Sequence, residues 1–502
     1  MREEFDKQLE VQPTGDVSEE KAVSRRQFLK IAGVTGAAVT MGAGLGGLLA
    51  ACGEETAETT TTAAAGGTTT TTAAATTTTA GATTTVATAP EMGREIKLGF
   101  CTPLTGPLAS FGVPDQYCVD RWREAIGDGM VLGDGKMHPI SIQVQDTQSD
   151  SNRASQVAGD LINNTGIDLM MVASTPETVK PTVEQCEVYG VPVVSTDCPW
   201  QTYLGANFEQ GYKWSYHVFF GGEDLCAVTL EAFNQVPSNK IAGGIFSNEA
   251  SGNFFREVLP PFLEANGYKV EVGDTVQLGT EDYTSVISAF KKAGAELLTG
   301  NMYPPDFTNF YKQSIQQGWQ PKVPFCSKAT LFPQSVDSLG EIGNGVMKEL
   351  WWHRTFPFKS SLSGETCAEL ADNFEAITGK QQTSPLLHYV VGEMAVYALK
   401  NAADPTDKAA ILAAIETMKV DTIVGTIDFT APIAEPLGPK NTDFAPGPGH
   451  KRKNVYDHGL AGAQWIMGGG KFKFTENVTG NAAAPYLTAD LLVPIKPVPI
   501  TG

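Results

Sequence analysis

The sequence predicts an α/β fold of two open parallel-sheet lobes joined by a hinge, with a ligand cleft between them, and three observations predict it. From Arg94 onward, short apolar runs alternate with amphipathic helical windows, the pattern of parallel strands joined by right-handed crossovers. The alternation then restarts at Lys240 and repeats over a similar length. Further helical windows and a β-rich tail follow residue 353, and they return to complete both lobes. Several crossings between lobes make a hinge.

In the first array, Ile96–Cys101 is an apolar strand and a Pro/Gly-rich turn spans Thr102 to Gly112. A helix runs from about Pro114 to Ile126, and Ile140–Gln145 alternates apolar and polar as a half-buried strand does. Asn152 is placed to cap the helix Arg153–Asn163. Leu169–Ala173 is the third strand, Pro176–Tyr189 a helix with Pro in its first turn, and Val191–Ser195 the fourth strand. The second array reads as strands Lys240–Phe246, Lys269–Val276, Glu296–Gly300 and Val323–Cys326. Helices Gly252–Ala265, Tyr283–Ala293 and Pro304–Gln317 alternate with them. Met347–His353 is a strand, and helical windows follow at Thr366–Thr378, Leu386–Ala402 and Asp407–Met418. Ile423–Phe429, Gln464–Met467 and Lys471–Phe474 are the late β segments. In such a pair of sheets a ligand binds where the carboxyl ends of both sets of strands face one another.

The first 93 residues read as address and tether. Ser24-Arg25-Arg26-Gln27-Phe28-Leu29-Lys30 precedes an uncharged run of apolar and small residues from Ile31 to Ala51. A charged segment leading into an apolar one is a targeting signal rather than part of the fold. Arg25 and Arg26 in S-R-R-x-F-L-K resemble the twin-arginine export motif. Leu49-Ala50-Ala51-Cys52 resembles a bacterial lipoprotein cleavage site, which implies lipidation of Cys52 and anchoring in the membrane. The alternative is an uncleaved anchor, since the run is about long enough to span a bilayer. The Gly42–Gly47 stretch satisfies G-x-G-x-x-G but lies inside the signal with no preceding strand, so it is no dinucleotide site. From Gly53 to Ala89 the chain is almost entirely Thr, Ala and Gly, too poor in apolar surface to offset the entropy of ordering, and residues 52–93 read as a disordered tether.

The net charge of −20 leaves no basic stripe, Lys451-Arg452-Lys453 being an isolated cluster, and argues against a nucleic-acid partner. Apart from Cys52, the cysteines (101, 118, 186, 198, 226, 326 and 367) show neither C-x-x-C nor metal spacing. Seven cannot all pair within one chain, so several are expected to be buried apolar residues. The six histidines are scattered, with no H-x-x-x-H or H-E-x-x-H, and no G-x-S-x-G elbow occurs. No metal, no cofactor and no catalytic activity is therefore expected.

The segment Ile96-Lys97-Leu98-Gly99-Phe100, followed by Pro103-Leu104-Thr105-Gly106-Pro107-Leu108-Ala109-Ser110-Phe111-Gly112, resembles the opening of type I periplasmic binding proteins, above all those for leucine, isoleucine and valine. The similarity continues through Gln145-Asp146-Thr147, Gly190–Ser195 and Val424–Phe429. It implies two Rossmann-like lobes, the first from 94–217 with 354–421 and the second from 218–353 with 422–502. It also implies that a ligand carboxylate is held at the turns Ala173–Thr178 and Ser195–Cys198, through Ser174 and Thr175. Helix N-termini there would present unpaired donors to an anion. Phe111 matches the aromatic that covers the ligand, and Tyr303 a second-lobe tyrosine. Two positions depart from the family. Lys328 stands where an acid usually holds the ligand's ammonium, and Asp197 stands where a small residue is usual. Either Asp197 grips the ammonium from the opposite side, or the ligand is a carboxylate or amide that pairs with Lys328. Trp351-Trp352 reads as packing rather than a sugar platform.

The resemblance implies an extracytoplasmic solute-binding protein of an ABC importer. It would capture a small polar ligand, an amino acid or a related organic acid or amide, and deliver it to a membrane permease. An extracellular sensing domain and an exported hydrolase are the alternatives.

Overall fold

The first lobe is organised by six parallel strands in the order Val455–Tyr456, Ser215–Val218, Val193–Thr196, Leu169–Val172, Ile96–Thr102, Ile140–Asp146. The structure, a computed structural model, describes residues 89–207, 210–431 and 454–499. The signal, Cys52, the tether up to Thr88 and the Lys451–Lys453 cluster lie outside the described residues.

Side-chain alternation explains why this sheet is covered on both faces. Leu98, Phe100, Leu169 and Met171 pack to one side with Trp122 and Tyr389. Cys101, Met170 and Val172 turn to the other, against Val157, Val179 and Val183. Successive strand residues point to opposite faces, so near-continuous apolar runs are what a doubly covered parallel strand requires. Helices Asp115–Ile126 and Tyr389–Asn401 cover the first face, and Ser151–Asp160 and Thr175–Tyr189 the second. The two helices of the first face come close because Gly392 has no side chain. A Cβ there would lie 2.3 Å from the Trp122 indole, whose Nε1–H donates to the Tyr389 carbonyl at 3.1 Å.

The second lobe holds four parallel strands in the order Val323–Pro324, Leu297–Asn301, Ile241–Phe246, Lys269–Val272. Helices Ala250–Ala265, Thr284–Ala293 and Pro304–Gln316 alternate with them in sequence. An antiparallel sheet of Met347–Leu350, Leu460–Met467 and Phe474–Ala483 joins through the Phe325–Met347 bridge.

The chain crosses between lobes three times among the described residues. It passes from Ser215–Val218 into the second-lobe helix Gly222–Asn234, and from Met347–Leu350 into the first-lobe helix Cys367–Thr378. It returns from Val455–Tyr456 into Leu460–Met467. The tail after residue 422 therefore does not belong to the second lobe alone. Val455–Tyr456 forms the outer edge of the first sheet, paired with His217 and Val218. Other details also differ from the sequence reading. The second helix begins at Ser151 and is capped by Asp150, whose carboxylate accepts from the Arg153 N–H at 2.8 Å; Asn152 lies inside it. Ile423–Phe429 is not one strand but part of a hairpin of Lys419–Thr422 with Gly425–Asp428. The late β segments are longer than expected and antiparallel. No helix among the described residues is long and apolar enough to cross a membrane.

Candidate functional site

The strand ends of the two parallel sheets meet over one small cavity. From the first lobe it is lined by Phe111, Thr175, Pro176, Asp197 and Pro199. Phe219 and Phe220 border it where the chain crosses, and Ser251, Phe255, Asn301, Ser327, Lys328 and Trp351 close it from the second lobe. The enclosed space is about 20 Å³. That is room for one or two waters, so the lobes are drawn together and must part to admit anything larger.

The backbone at this cavity is unusual. Thr175, Asp197 and Lys328 all adopt left-handed φ values, 59°, 66° and 70°, as does Ser174 at 78°. A β-branched residue in that region is strained, at roughly 1–3 kcal/mol per residue, and such strain gathers at functional sites. Each of these residues follows the end of a parallel strand, where the chain must turn sharply to present a side chain to the cleft. The two first-lobe turns are tied together, the Thr175 N–H donating to the Asp197 carbonyl at 2.8 Å.

The sequence-predicted residues divide into two groups. Phe111, Thr175, Asp197 and Lys328 line the cavity. Phe111 stands edge-on to Phe332 at 4.8 Å between centroids and stacks at 6.0 Å over Trp351, so first-lobe and second-lobe aromatics touch. Ser174 and Tyr303 lie behind the wall. Ser174 is buried without a partner for its Oγ, and its side chain does not cap the helix that follows. The Tyr303 ring sits beneath Lys328, whose Nζ is 4.2 Å from its centroid.

Lys328 is not the exposed lysine that its residue type suggests. It is 4 % exposed, and its ammonium donates to Ser251 Oγ at 3.0 Å and pairs with Glu249 Oε1 at 3.1 Å. Glu249 caps the helix Ala250–Ala265, accepting from the Ser251 and Gly252 N–H groups. Behind the turn, Glu349 Oε1 accepts from the Lys328 N–H at 2.7 Å and from Ser327 Oγ at 2.9 Å. Burial pushes the Glu349 carboxyl up, against those hydrogen bonds.

The arrangement that the sequence did not suggest is a buried Asp–His–Asp bridge. His388 holds Asp115 Oδ1 with Nδ1 at 2.7 Å and Asp197 Oδ2 with Nε2 at 3.0 Å. Both ring nitrogens donate, so the imidazole is charged. Burial opposes that charge, but the Asp115 carboxylate and the hydrogen bonds to both aspartates raise His388 to about 9. Burial raises Asp197 to about 6, opposed by the bond to His388. Asp115 is held in turn by Thr102 Oγ1. With each ring nitrogen committed to a carboxylate, His388 cannot deprotonate a nucleophile. A second pair, Ser195 Oγ with His217 Nδ1 at 2.8 Å, lies inside the sheet under Tyr203 and does not border the cavity. Its imidazole is kept neutral, lowered to about 3 by burial.

The seven described cysteines are all buried and unpaired. Asn301, Ser251, Ser327 and Trp351 join the site without any motif announcing them; Trp352, beside Trp351, is buried and does not line it.

A family model described as "Periplasmic binding protein" matches residues 95–437. A twin-arginine translocation signal sequence matches residues 22–42, which include Arg25 and Arg26. The leucine-, isoleucine-, valine-, threonine- and alanine-binding protein of Pseudomonas aeruginosa is 21% identical over 225 residues, 44% of this chain. The chain spans 58% of the length of that relative. A periplasmic binding protein from Burkholderia mallei superposes with TM-score 0.60 at 16% identity, over 80% of this chain and 99% of its own. The branched-chain amino acid transporter substrate-binding protein of Streptococcus pneumoniae, solved with isoleucine, gives 0.59 at 15% identity, over 77% and 99%. A solute-binding protein of an ABC transporter from Rhodopseudomonas palustris, solved with 3,4-dihydroxybenzoic acid, gives 0.58 at 16%, over 76% and 96%. At these identities the solved structures speak for the fold, while the family match runs through both lobes and the cleft between them. The chain belongs to the periplasmic binding protein family.

Proposed function

We propose that this chain is the solute-binding component of an ABC importer, capturing a small polar ligand by hinge closure and passing it to a membrane permease. The ligand class is an amino acid or a related small organic acid or amide. One observation carries the reading: Thr175 and Asp197 from one lobe and Asn301, Ser327 and Lys328 from the other border a single enclosed space. A ligand that touches both lobes favours the closed form by its contacts there. Similar folds solved with isoleucine and with 3,4-dihydroxybenzoic acid fit a small polar ligand without fixing which. The twin-arginine signal and the family put the protein outside the cytoplasm. Lipidation of Cys52, with the Thr/Ala-rich residues up to Thr88 as a tether, would keep it at the membrane beside its permease; Glu91–Gly93 already pair with Met137 and belong to the folded part.

Binding without turnover is supported by the chemistry of the cleft. His388, behind Asp197, is locked between two carboxylates, and the buried Cys198 thiol is pushed up by burial, away from the thiolate form a nucleophile needs. A thermal-shift screen of amino acids, amides, urea and aromatic acids tests the proposal. A ligand at a hundred times its dissociation constant stabilises the folded form by about 2.7 kcal/mol. A screen without any shift, or conversion of a bound compound to product, sinks it.

A further inference from the structure

We infer that Gln381 and Gln382 of the first lobe fasten onto the strand Phe474–Ala483 of the second and hold the lobes together while the cleft is empty. The inference rests on the hinge closure proposed above and adds what sets its equilibrium.

Three observations carry it. First, two consecutive side chains reach one strand of the other lobe. Gln381 Nε2 donates to the Phe474 carbonyl at 3.1 Å, and Gln382 Nε2 donates to Glu476 Oε2 at 2.8 Å. The Gln382 amide has a fixed orientation, because its Oε1 accepts from the Arg354 N–H at 3.3 Å.

Second, Glu476 needs the first lobe to complete its surroundings. Its side chain is buried, and its Oε1 pairs with the buried Lys348 ammonium of its own lobe. His353 Nε2 stands 3.6 Å from Oε2. His353 Nδ1 accepts from the Thr355 N–H at 3.3 Å, and burial lowers the imidazole to about 4, so it brings no charge at neutral pH. The hydrogen bond to Oε2 therefore comes across the interface, from Gln382. A buried carboxylate short of its hydrogen bonds is costly.

Third, these bonds join the bodies of the lobes rather than the crossings. Gln381 and Gln382 lie between the first-lobe helices Cys367–Thr378 and Tyr389–Asn401, and Glu476 lies in the sheet that completes the second lobe. The three crossings pack on one another through Phe219, Trp351 and His458, with Phe219 at 5.0 Å from Trp351 and 5.6 Å from His458 between centroids. A rotation about them carries Gln382 with one body and Glu476 with the other, and parts the bonds that span the two.

Neither glutamine borders the cavity. Both are positioning residues: they favour the closed form before anything binds, so a ligand's contacts have less closing to drive.

The test needs no ligand. Cysteines introduced into the full chain at the exposed Leu104 and Leu278, in the loops after Ile96–Thr102 and Lys269–Val272, carry spin labels; the described native thiols are buried. Pulsed electron paramagnetic resonance gives the distances between lobes in the dialysed protein, and melting temperatures are read alongside. The labelled parent is expected to show mainly one short distance. In Gln382→Ala the share of a longer distance relative to the short one rises about tenfold, the worth of a hydrogen bond to a charged group. Gln382→Glu, which sets a carboxylate against Glu476 and Glu375, shifts it further. Gln381→Ala leaves the surroundings of Glu476 intact and moves the ratio the same way by less. A parent already at the long distance, or variants that melt lower with the distances unchanged, overturns the inference. Either result leaves the solute-binding function standing, which the thermal-shift screen tests separately.

Discussion

The Glu177 carbonyl takes its hydrogen bond from Ser151 Oγ, 3.0 Å away on the neighbouring helix. The reason is Pro181, four residues further along the helix Thr175–Tyr189, which has no N–H to donate back. One helix thus repairs a gap in another, next to the turn that carries Ser174 and Thr175 to the cleft.

Ser151→Ala should cost about 1 kcal/mol, the net worth of one hydrogen bond at an exposed position. Pro181→Ala in the same chain restores an N–H within the helix. Urea unfolding of the single and double variants measures both, and the second substitution should recover much of the loss caused by the first.

His388 makes stability depend on alkaline pH. Its value in the fold, about 9, lies above the ordinary 6.5. The folded form therefore binds this proton more tightly than the unfolded one. The contribution is complete below about 6.5, declines as pH rises, and is gone above about 9. Its size is on the order of 3 kcal/mol. Urea midpoints between pH 6 and 10 should fall across that window, and the His388→Asn profile should lack this decline.

Ser174 sets strain against binding. With φ at 78° and its hydroxyl buried unpaired, Ser174→Gly removes both penalties and should stabilise the fold by about 1 kcal/mol. Thermal melts check the gain. Calorimetry with whichever ligand the screen identifies should show weaker binding, because the unpaired hydroxyl is the group the ligand would take up when the lobes part and reclose around it.

The thiols should be silent until the protein unfolds. All seven described cysteines are buried and unpaired, and burial raises thiols such as Cys101, Cys186 and Cys326. A thiol-specific reagent should label none of them in the native chain at neutral pH and all seven in denaturant. Early labelling at one of them would reveal local opening.

Much of the architecture was legible because parallel strands covered on both faces are written as local apolar runs. Ile96–Thr102 and Leu169–Val172 are such runs, and the turns after them announce themselves by Pro and Gly. Ser215–Val218 was missed for the opposite reason. Its serine and histidine look solvent-facing, but His217 spends its polarity within the sheet on Ser195 and the Cys198 carbonyl. The helix Gly222–Asn234 was missed because it is buried on nearly every side and so shows little amphipathic contrast. At the site, Phe111, Thr175, Asp197 and Lys328 could be placed only through the resemblance, which maps the family's ligand loops onto the segments that follow these strands. His388 could not, since its partners are 273 and 191 residues away in the chain and no spacing encodes such a bond.

The threefold passage of the chain between lobes also governs how the molecule can be made. The first sheet receives its edge at Val455–Tyr456, and the sheet completing the second lobe receives its last strand at Phe474–Ala483. Neither half is finished until nearly the whole polypeptide has been synthesised. A chain that stops anywhere between residues 96 and 455 leaves two incomplete bodies rather than one sound lobe. For this protein, the clean separation into independently expressed halves that tandem-domain proteins permit is closed off by topology.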